Sequence, residues 1–104
     1  MAAGLNRYTA KVIAKMSKFK TQVASDIVRD GLGVELLDES GDVAAEVFRN
    51  DKDKTISVTT FGNEVSLQGL EYLISFAKQR LEPFEDNTPL DQAKVFSTKK
   101  LSAK

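Results

Sequence analysis

Apolar positions near the start of the chain recur at the period of an α-helix. The side chains that share this face are Leu5, Tyr8, Val12, Ile13, Met16 and Phe19. Their spacing fits 3.6 residues per turn and predicts an amphipathic helix to about Ser17. Beyond it, Phe19 to Ile27 alternates in polarity, which favours a strand, although the same residues also fit a continuing helix.

The centre of the chain carries a β pattern. Three runs rich in β-branched and aromatic residues predict strands, at Val34–Leu37, Val43–Arg49 and Thr55–Phe61. A turn precedes each run, at Asp30–Gly33, Asp38–Gly41 and Asn50–Lys54. Short polar turns between such runs favour an antiparallel meander.

A second amphipathic helix is predicted over residues 66–81. Ser66 is the expected N-cap, Lys78 and Arg80 lie in the last turn, and Pro83 follows just beyond the end. Gly69 is a weak point, since glycine in a helix interior costs about 1 kcal/mol relative to alanine. A short final helix is expected to begin at Thr88.

Together these elements predict the α+β class. We expect an N-terminal helix, a three- to four-stranded antiparallel meander, one long helix packed on the sheet, a short C-terminal helix and a basic tail. One domain is expected over residues 1–96, with the tail over 97–104. The predicted core residues are Val34, Leu36, Val47, Phe48, Ile56, Val58, Leu70, Leu73, Ile74 and Ala77.

Composition argues against catalysis. The 104 residues contain no histidine, cysteine or tryptophan, so Ser–His, Cys–His and thiolate chemistry are absent. The tight acid clusters fall in predicted turns, without an apolar pocket to raise a carboxyl pKa. We therefore predict no enzymatic activity, no cofactor and no metal site. No apolar run approaches the roughly 20 residues that span a bilayer, and a cytoplasmic location is expected.

Charge is segregated along the chain although the net charge is zero. All fifteen acids lie between Asp26 and Asp91, with only six basic residues among them. An acidic surface on and around two adjacent turns, residues 38–42 and 50–54, is the first candidate site; it comprises Glu35, Asp38, Glu39, Asp42, Glu46, Asp51 and Asp53. A basic surface is the second candidate; it comprises Arg7, Lys11, Lys15, Lys18 and Lys20.

One stretch resembles a known group of proteins. The run Gly33–Asp38, then Gly41, then Ala45–Arg49, is similar in style to bacterial immunity proteins of polymorphic or contact-dependent toxin systems. The likeness covers roughly residues 25–86 and carries no diagnostic motif, so it assigns no residue a role. It implies a cytoplasmic, non-catalytic inhibitor that binds one toxin, for which the acidic surface would suit a nuclease.

Two other functions fit the same sequence. The basic surface, together with the lysines of the tail, would suit a small nucleic-acid-binding regulatory module. A homodimer could form through exposed edge strands or through the apolar face of the first helix. The protein-binding hypothesis is the one preferred here, because the middle of the chain is strongly acidic.

Overall fold

The computed structural model describes residues 19–95, which form a four-stranded antiparallel sheet with one α-helix packed on it. The strands are β1 (Lys20–Asp26), β2 (Gly31–Leu37), β3 (Val43–Asn50) and β4 (Thr55–Thr59), in the spatial order β1-β2-β3-β4. Helix α1 spans Leu67–Leu81, and a 3₁₀ turn follows at Leu90–Gln92. The predicted α+β meander is confirmed; the predicted N-terminal helix and the tail lie outside the described residues.

The two ends of the sheet carry different loops. At one end β1 begins, the β2–β3 turn lies and α1 starts at its N-cap, Ser66; we call this the N-cap end. At the other end, the C-cap end, lie the β1–β2 turn, the β3–β4 turn and the segment that follows α1. Successive turns of a meander alternate between ends because each strand reverses direction.

The main core lies between α1 and the two central strands. It contains Val34, Leu36, Ala45, Val47, Leu73, Ala77 and Leu81, each at most 5% exposed. In β2 and β3 these residues alternate with side chains of the opposite face, as the two-residue period of a strand requires. Ile56, Leu70 and Ile74 are only partly buried, and Val58 is 47% exposed, because α1 packs mainly over β2 and β3.

Phe84 is a core residue that the sequence pattern did not predict. It is 1% exposed, although it lies beyond the end of α1 in the loop after Pro83. The helix itself ends at Leu81, as predicted from the proline. The predicted final helix is wrong in kind, since only the 3₁₀ turn forms and its N-cap residue, Pro89, has no side-chain cap.

β2 begins three residues earlier than predicted, because Gly31–Gly33 forms strand rather than turn. The actual turn is Ile27–Asp30. A Cβ on Gly33 would lie 2.5 Å from Oε2 of Glu46, and a Cβ on Gly31 would collide with the carbonyl oxygen of Arg49 and the Phe48 ring. Both glycines therefore make room on the sheet for residues of β3.

Phe48 and Glu46 are buried on the face of the sheet opposite α1, at 6% and 3% exposure. The Arg29 side chain, from the β1–β2 turn, covers both. Its Nη1 and Nη2 donate to the two carboxylate oxygens of Glu46, each at 2.9 Å, and its guanidinium carbon lies 3.9 Å from the centroid of the Phe48 ring. Arg29 also donates from Nε to Asp26 at 2.5 Å. We call this cluster the arginine clasp.

In the part of the chain that the structure describes, the arginine clasp takes the place of a second packing layer on this face. The hydrogen bonds that Arg29 donates to Glu46 hold the pKa of Arg29 above its ordinary value, so the guanidinium stays charged. A carboxylate as buried as that of Glu46 needs such a partner to offset the cost of its desolvation.

Removal of the clasp arginine should destabilise the fold. We expect Arg29→Ala to lower the free energy of unfolding by about 2–4 kcal/mol, below the full range for a wholly buried pair since Arg29 is half exposed. Arg80→Ala is the matched control, because Arg80 also lies over a phenylalanine ring, Phe76, but has no carboxylate partner within residues 19–95. Urea denaturation measures both. Equal losses in the two variants would contradict the role assigned to Glu46.

Candidate functional site

The acidic residues predicted to form one surface lie at opposite ends of the sheet. Asp38, Glu39 and Asp42 occupy the β2–β3 turn at the N-cap end, whereas Asp51 and Asp53 occupy the β3–β4 turn at the C-cap end. The expectation that two adjacent turns share one surface is therefore corrected. Turns that are adjacent in the sequence of a meander are separated by the length of the strand between them.

Asp38 organises the β2–β3 turn. Its Oδ1 accepts hydrogen bonds from the backbone N–H of Ser40 at 2.9 Å, from the Ser40 hydroxyl at 2.6 Å and from the backbone N–H of Asp42 at 3.0 Å. The Ser40 hydroxyl, followed by these backbone groups, lowers the pKa of Asp38. Because the carboxylate is engaged inside the turn, Glu39 and Asp42 are the better residues for testing the turn as a contact surface.

Two of the predicted binding carboxylates are buried in ion pairs. Glu46 is held in the arginine clasp, and Asp51, at 7% exposure, pairs with Arg49. Glu35 accepts a hydrogen bond from Gln22 at 2.5 Å and is half-buried on the face opposite α1. These three carboxylates are engaged within the fold, which makes them unsuited to contacting a partner.

The pair of Arg49 and Asp51 joins the end of α1 to the β3–β4 turn. Arg49 donates from Nη1 to the carbonyl oxygens of Leu81 and Pro83 at 3.0 and 2.8 Å, and from Nη2 to Asp51 at 3.1 Å. The other carboxylate oxygen of Asp51 accepts the backbone N–H of Glu85 at 2.9 Å. This network fixes the C-cap end and has a structural role.

A groove opens at the N-cap end, between the start of β1, the β2–β3 turn and the start of α1. Its volume is about 940 Å³, within the roughly 300–1,000 Å³ typical of binding pockets. Its apolar lining is contributed by Phe19, Leu36, Leu37, Ala44 and Val65. The register of β2 on β3 slips between Leu36 and Leu37, and both residues line the groove.

The rim of this groove is acidic. Among the lining residues in 19–95, Asp38 and Glu39 belong to the β2–β3 turn, Glu64 belongs to the loop before α1, and Lys20 is basic. All four are exposed, and together these four side chains carry three negative charges against one positive charge. We call the whole feature the acidic groove. It combines apolar surface with carboxylates, and such a surface suits a basic amphipathic segment.

The first turn of α1 forms one wall of the groove. The Ser66 hydroxyl accepts the backbone N–H of Gly69 at 3.0 Å, which confirms the predicted N-cap. A Cβ on Gly69 would lie 3.3 Å from the Phe19 ring and 3.0 Å from Oγ of Ser66, so glycine leaves space for both. The Phe19 ring also packs against Tyr72, with centroids 5.8 Å apart.

Sequence reasoning did not single out Glu64 and Val65 as site residues. Val65 immediately precedes the N-cap, the position of the hydrophobic staple, and this signal could have identified it as a packing residue. No local signal places Glu64 in the same groove as Glu39, because a whole hairpin separates them in the chain. Of the predicted basic surface, Lys20 lies on the groove; Arg7, Lys11, Lys15 and Lys18 lie outside the described residues.

The chain matches no protein-family model, no curated protein and no solved structure. Within residues 19–95, no group of three or more acidic side chains is arranged to hold a metal ion. The described part of the chain also has no helix that is both long and apolar enough to cross a membrane.

Loss of the Asp51 carboxylate should loosen the C-cap end. We expect Asp51→Ala to lower the free energy of unfolding by about 3 kcal/mol, because Arg49 and the Glu85 amide lose their buried acceptor. Asp53→Ala, in the same turn but exposed, should change it by less than about 0.5 kcal/mol. Chemical denaturation measures the difference, and an equally mild effect of both substitutions would refute the network's structural role.

Three aspartates should make the fold acid-sensitive. The Thr88 hydroxyl and backbone N–H lower the pKa of Asp86 to about 2, the Ser40 hydroxyl lowers that of Asp38, and the backbone N–H of Arg29 lowers that of Asp26. Because a pKa lowered on folding stabilises the folded state above the unfolded pKa of about 3.9, this stability is lost as pH falls through the folded values.

We therefore expect the urea midpoint to fall between about pH 4 and pH 2. Asp86→Asn should make this decline shallower, whereas Asp53→Asn, which removes an exposed carboxylate from the β3–β4 turn, should leave the profile as in the wild type. A midpoint that stays constant over this range would contradict the assigned hydrogen bonds.

Proposed function

We propose that this chain is a non-catalytic protein-binding inhibitor of the immunity type, and that the acidic groove is its binding surface. One observation carries the proposal: within residues 19–95, an apolar groove of about 940 Å³ is lined by three exposed carboxylates and one exposed ammonium group. The partner that fits it is a protein segment with apolar side chains on one face and lysine or arginine on another.

The apolar lining supplies the affinity in this proposal. Each Å² of apolar surface removed from water contributes about 25 cal/mol, and side chains inserted against Phe19, Leu37 and Val65 would be so buried. The carboxylates of Glu39 and Glu64 supply orientation and a fast encounter with a basic partner, as complementary charge does at protein interfaces. Asp42, in the same turn and exposed, extends this acidic surface.

Toxin neutralisation is the form of this function that agrees with the resemblance of residues 25–86. A nuclease presents lysine and arginine side chains to the phosphates of its substrate. An inhibitor with carboxylates on a rigid rim would occupy those side chains and exclude the nucleic acid. In this proposal the chain acts in the cytoplasm, against a toxin that acts there.

A nucleic-acid-binding module is the alternative, and its candidate residues are Arg7, Lys11, Lys15, Lys18 and Lys20. The acidic groove argues against a phosphate backbone at the N-cap end, since Asp38, Glu39 and Glu64 would repel it. Binding to a random-sequence DNA duplex separates the two functions. Phosphate contacts would produce tight binding at low salt with a steep salt dependence.

The test is a charge reversal of the rim with a matched control. The full chain carrying Glu39→Lys and Glu64→Lys is compared with one carrying Asp53→Lys and Glu71→Lys, exposed acids outside the groove. Each protein is used to purify partners from cells of the source organism. We expect one protein to be retained by the wild type and the control, and its affinity for the rim variant to fall roughly tenfold or more, about 1.4 kcal/mol.

The retained protein is then expressed alone. We expect it to arrest growth, and co-expression of the wild type, but not of the rim variant, to restore growth. Equal loss of the partner in the rim variant and the control would refute the groove as the site. A partner that does not impair growth would refute toxin inhibition, and steeply salt-dependent DNA binding without a protein partner would favour the alternative.

A further inference from the structure

The acidic groove presents hydrocarbon that the fold leaves in contact with water. Leu36, one of its lining residues, is only 3% exposed, whereas Phe19, Leu37, Ala44 and Val65 are partly buried and keep apolar surface on the groove side. Removing apolar surface from water is favourable roughly in proportion to its area. A hydrocarbon chain laid along these four side chains would therefore be stabilised.

The charged side chains of the groove determine which head group suits it. Glu39 and Glu64 are exposed, and neither forms an ion pair with another residue in 19–95. Asp38 adds a third carboxylate, and the hydrogen bonds that it accepts inside its turn lower its pKa. Lys20 is the basic side chain among the lining residues in this range. The balance of these charges favours a cation over an anion.

The groove has room for an organic molecule that combines both parts. Its volume of about 940 Å³ lies at the upper end of the roughly 300–1,000 Å³ of pockets that hold drug-sized ligands. The start of β1, the β2–β3 turn and the first turn of α1 all contribute to its lining. Apolar and acidic side chains therefore face one space, as a ligand with an apolar body and a charged end requires.

We infer that the acidic groove binds small amphiphilic cations, in which a hydrocarbon chain ends in an ammonium group. The chain lies against the partly buried apolar side chains, and the ammonium group lies near the carboxylates of Glu39 and Glu64. This inference goes beyond the proposed function, because it needs no protein partner. One consequence does rest on the proposed function: such a ligand would compete with the partner's basic segment for the same carboxylates and so regulate the inhibitor.

The first test is a titration of the full chain with hexyl-, octyl- and decylammonium, each below the concentration at which it forms micelles. Backbone amide signals are followed by NMR. We expect saturable shifts at Leu36–Ser40 and Glu64–Gly69, and unchanged signals at Asp51–Lys54 of the C-cap end. Affinity should rise about two- to fourfold per added methylene, the upper value being that of a fully buried methylene.

The second test separates the charge from the chain. Octanoate has the same chain length as octylammonium but a negative head group, so we expect it to bind at least about tenfold more weakly to the wild-type protein. Added salt should weaken octylammonium binding, because these carboxylates are exposed and salt screens exposed charges.

Neutralisation of the two glutamates supplies the matched variant. Glu39→Gln with Glu64→Gln should lower the affinity for octylammonium about three- to tenfold, as expected for two exposed charge interactions. Asp53→Asn with Glu71→Gln changes the net charge equally, outside the groove, and should leave the affinity within about twofold of the wild type.

Three results would overturn the inference. They are shifts that do not saturate or that extend evenly to both ends of the sheet, octanoate binding as tightly as octylammonium, and equal losses of affinity in the two double variants. The first two are measured on the wild-type protein, so they do not depend on how a variant folds. Because no experiment here needs a protein partner, failure of this inference is distinct from failure of the proposed function.

Discussion

The packing of α1 across the two central strands is the constraint on which the rest of the structure depends. A four-stranded sheet is wider than one helix, so Leu73 and Ala77 cover β2 and β3 while the outer strands keep more exposure, as Val23 and Val58 show. The helix must also start where β4 has delivered the chain, at the N-cap end. Its first turn therefore meets the β2–β3 turn, and the acidic groove is the space left between them.

The opposite face of the sheet has no helix over its central strands within residues 19–95, and its interior is closed by side chains instead. Arg29 folds back from the β1–β2 turn over Glu46 and Phe48, and two glycines of β2 leave room for these residues. A charged pair is retained there because each partner satisfies the other. Because desolvation of the Glu46 carboxylate is costly, this carboxylate is paired with Arg29. It is therefore unsuited to contacting a partner.

Partner binding, as proposed, depends on two properties of the acidic groove. Its lining is apolar, so a ligand gains from burial, and the acidic side chains along it select for positive charge. Specificity for a partner then comes from contacts beyond the groove, for which the exposed Asp42 and the β2–β3 turn are adjacent.

Periodicity and turn chemistry in the sequence were sufficient for the meander, for α1 with its Ser66 N-cap and for most of the core, because these depend on interactions between near neighbours in the chain. They were insufficient where a residue's role depends on a distant neighbour. In the sequence, Gly31 and Gly33 indicate a turn. Their place in β2 is explained only by the tertiary structure, in which Glu46 and Phe48 of β3 need the space beside them and lie beneath Arg29.

The acidic site shows the same division. The order of charges along the chain indicated an acidic middle segment, and the composition lacked histidine and cysteine. Only the tertiary structure separated the two turns to opposite ends of the sheet, buried Glu46 and Asp51 in ion pairs, and brought Glu64 to the groove that Glu39 also lines. The physical reason is that a sequence shows which residues are charged but not which of them are exposed. Exposure depends on the direction of each strand and on the ion pairs that Arg29 and Arg49 form in the folded chain.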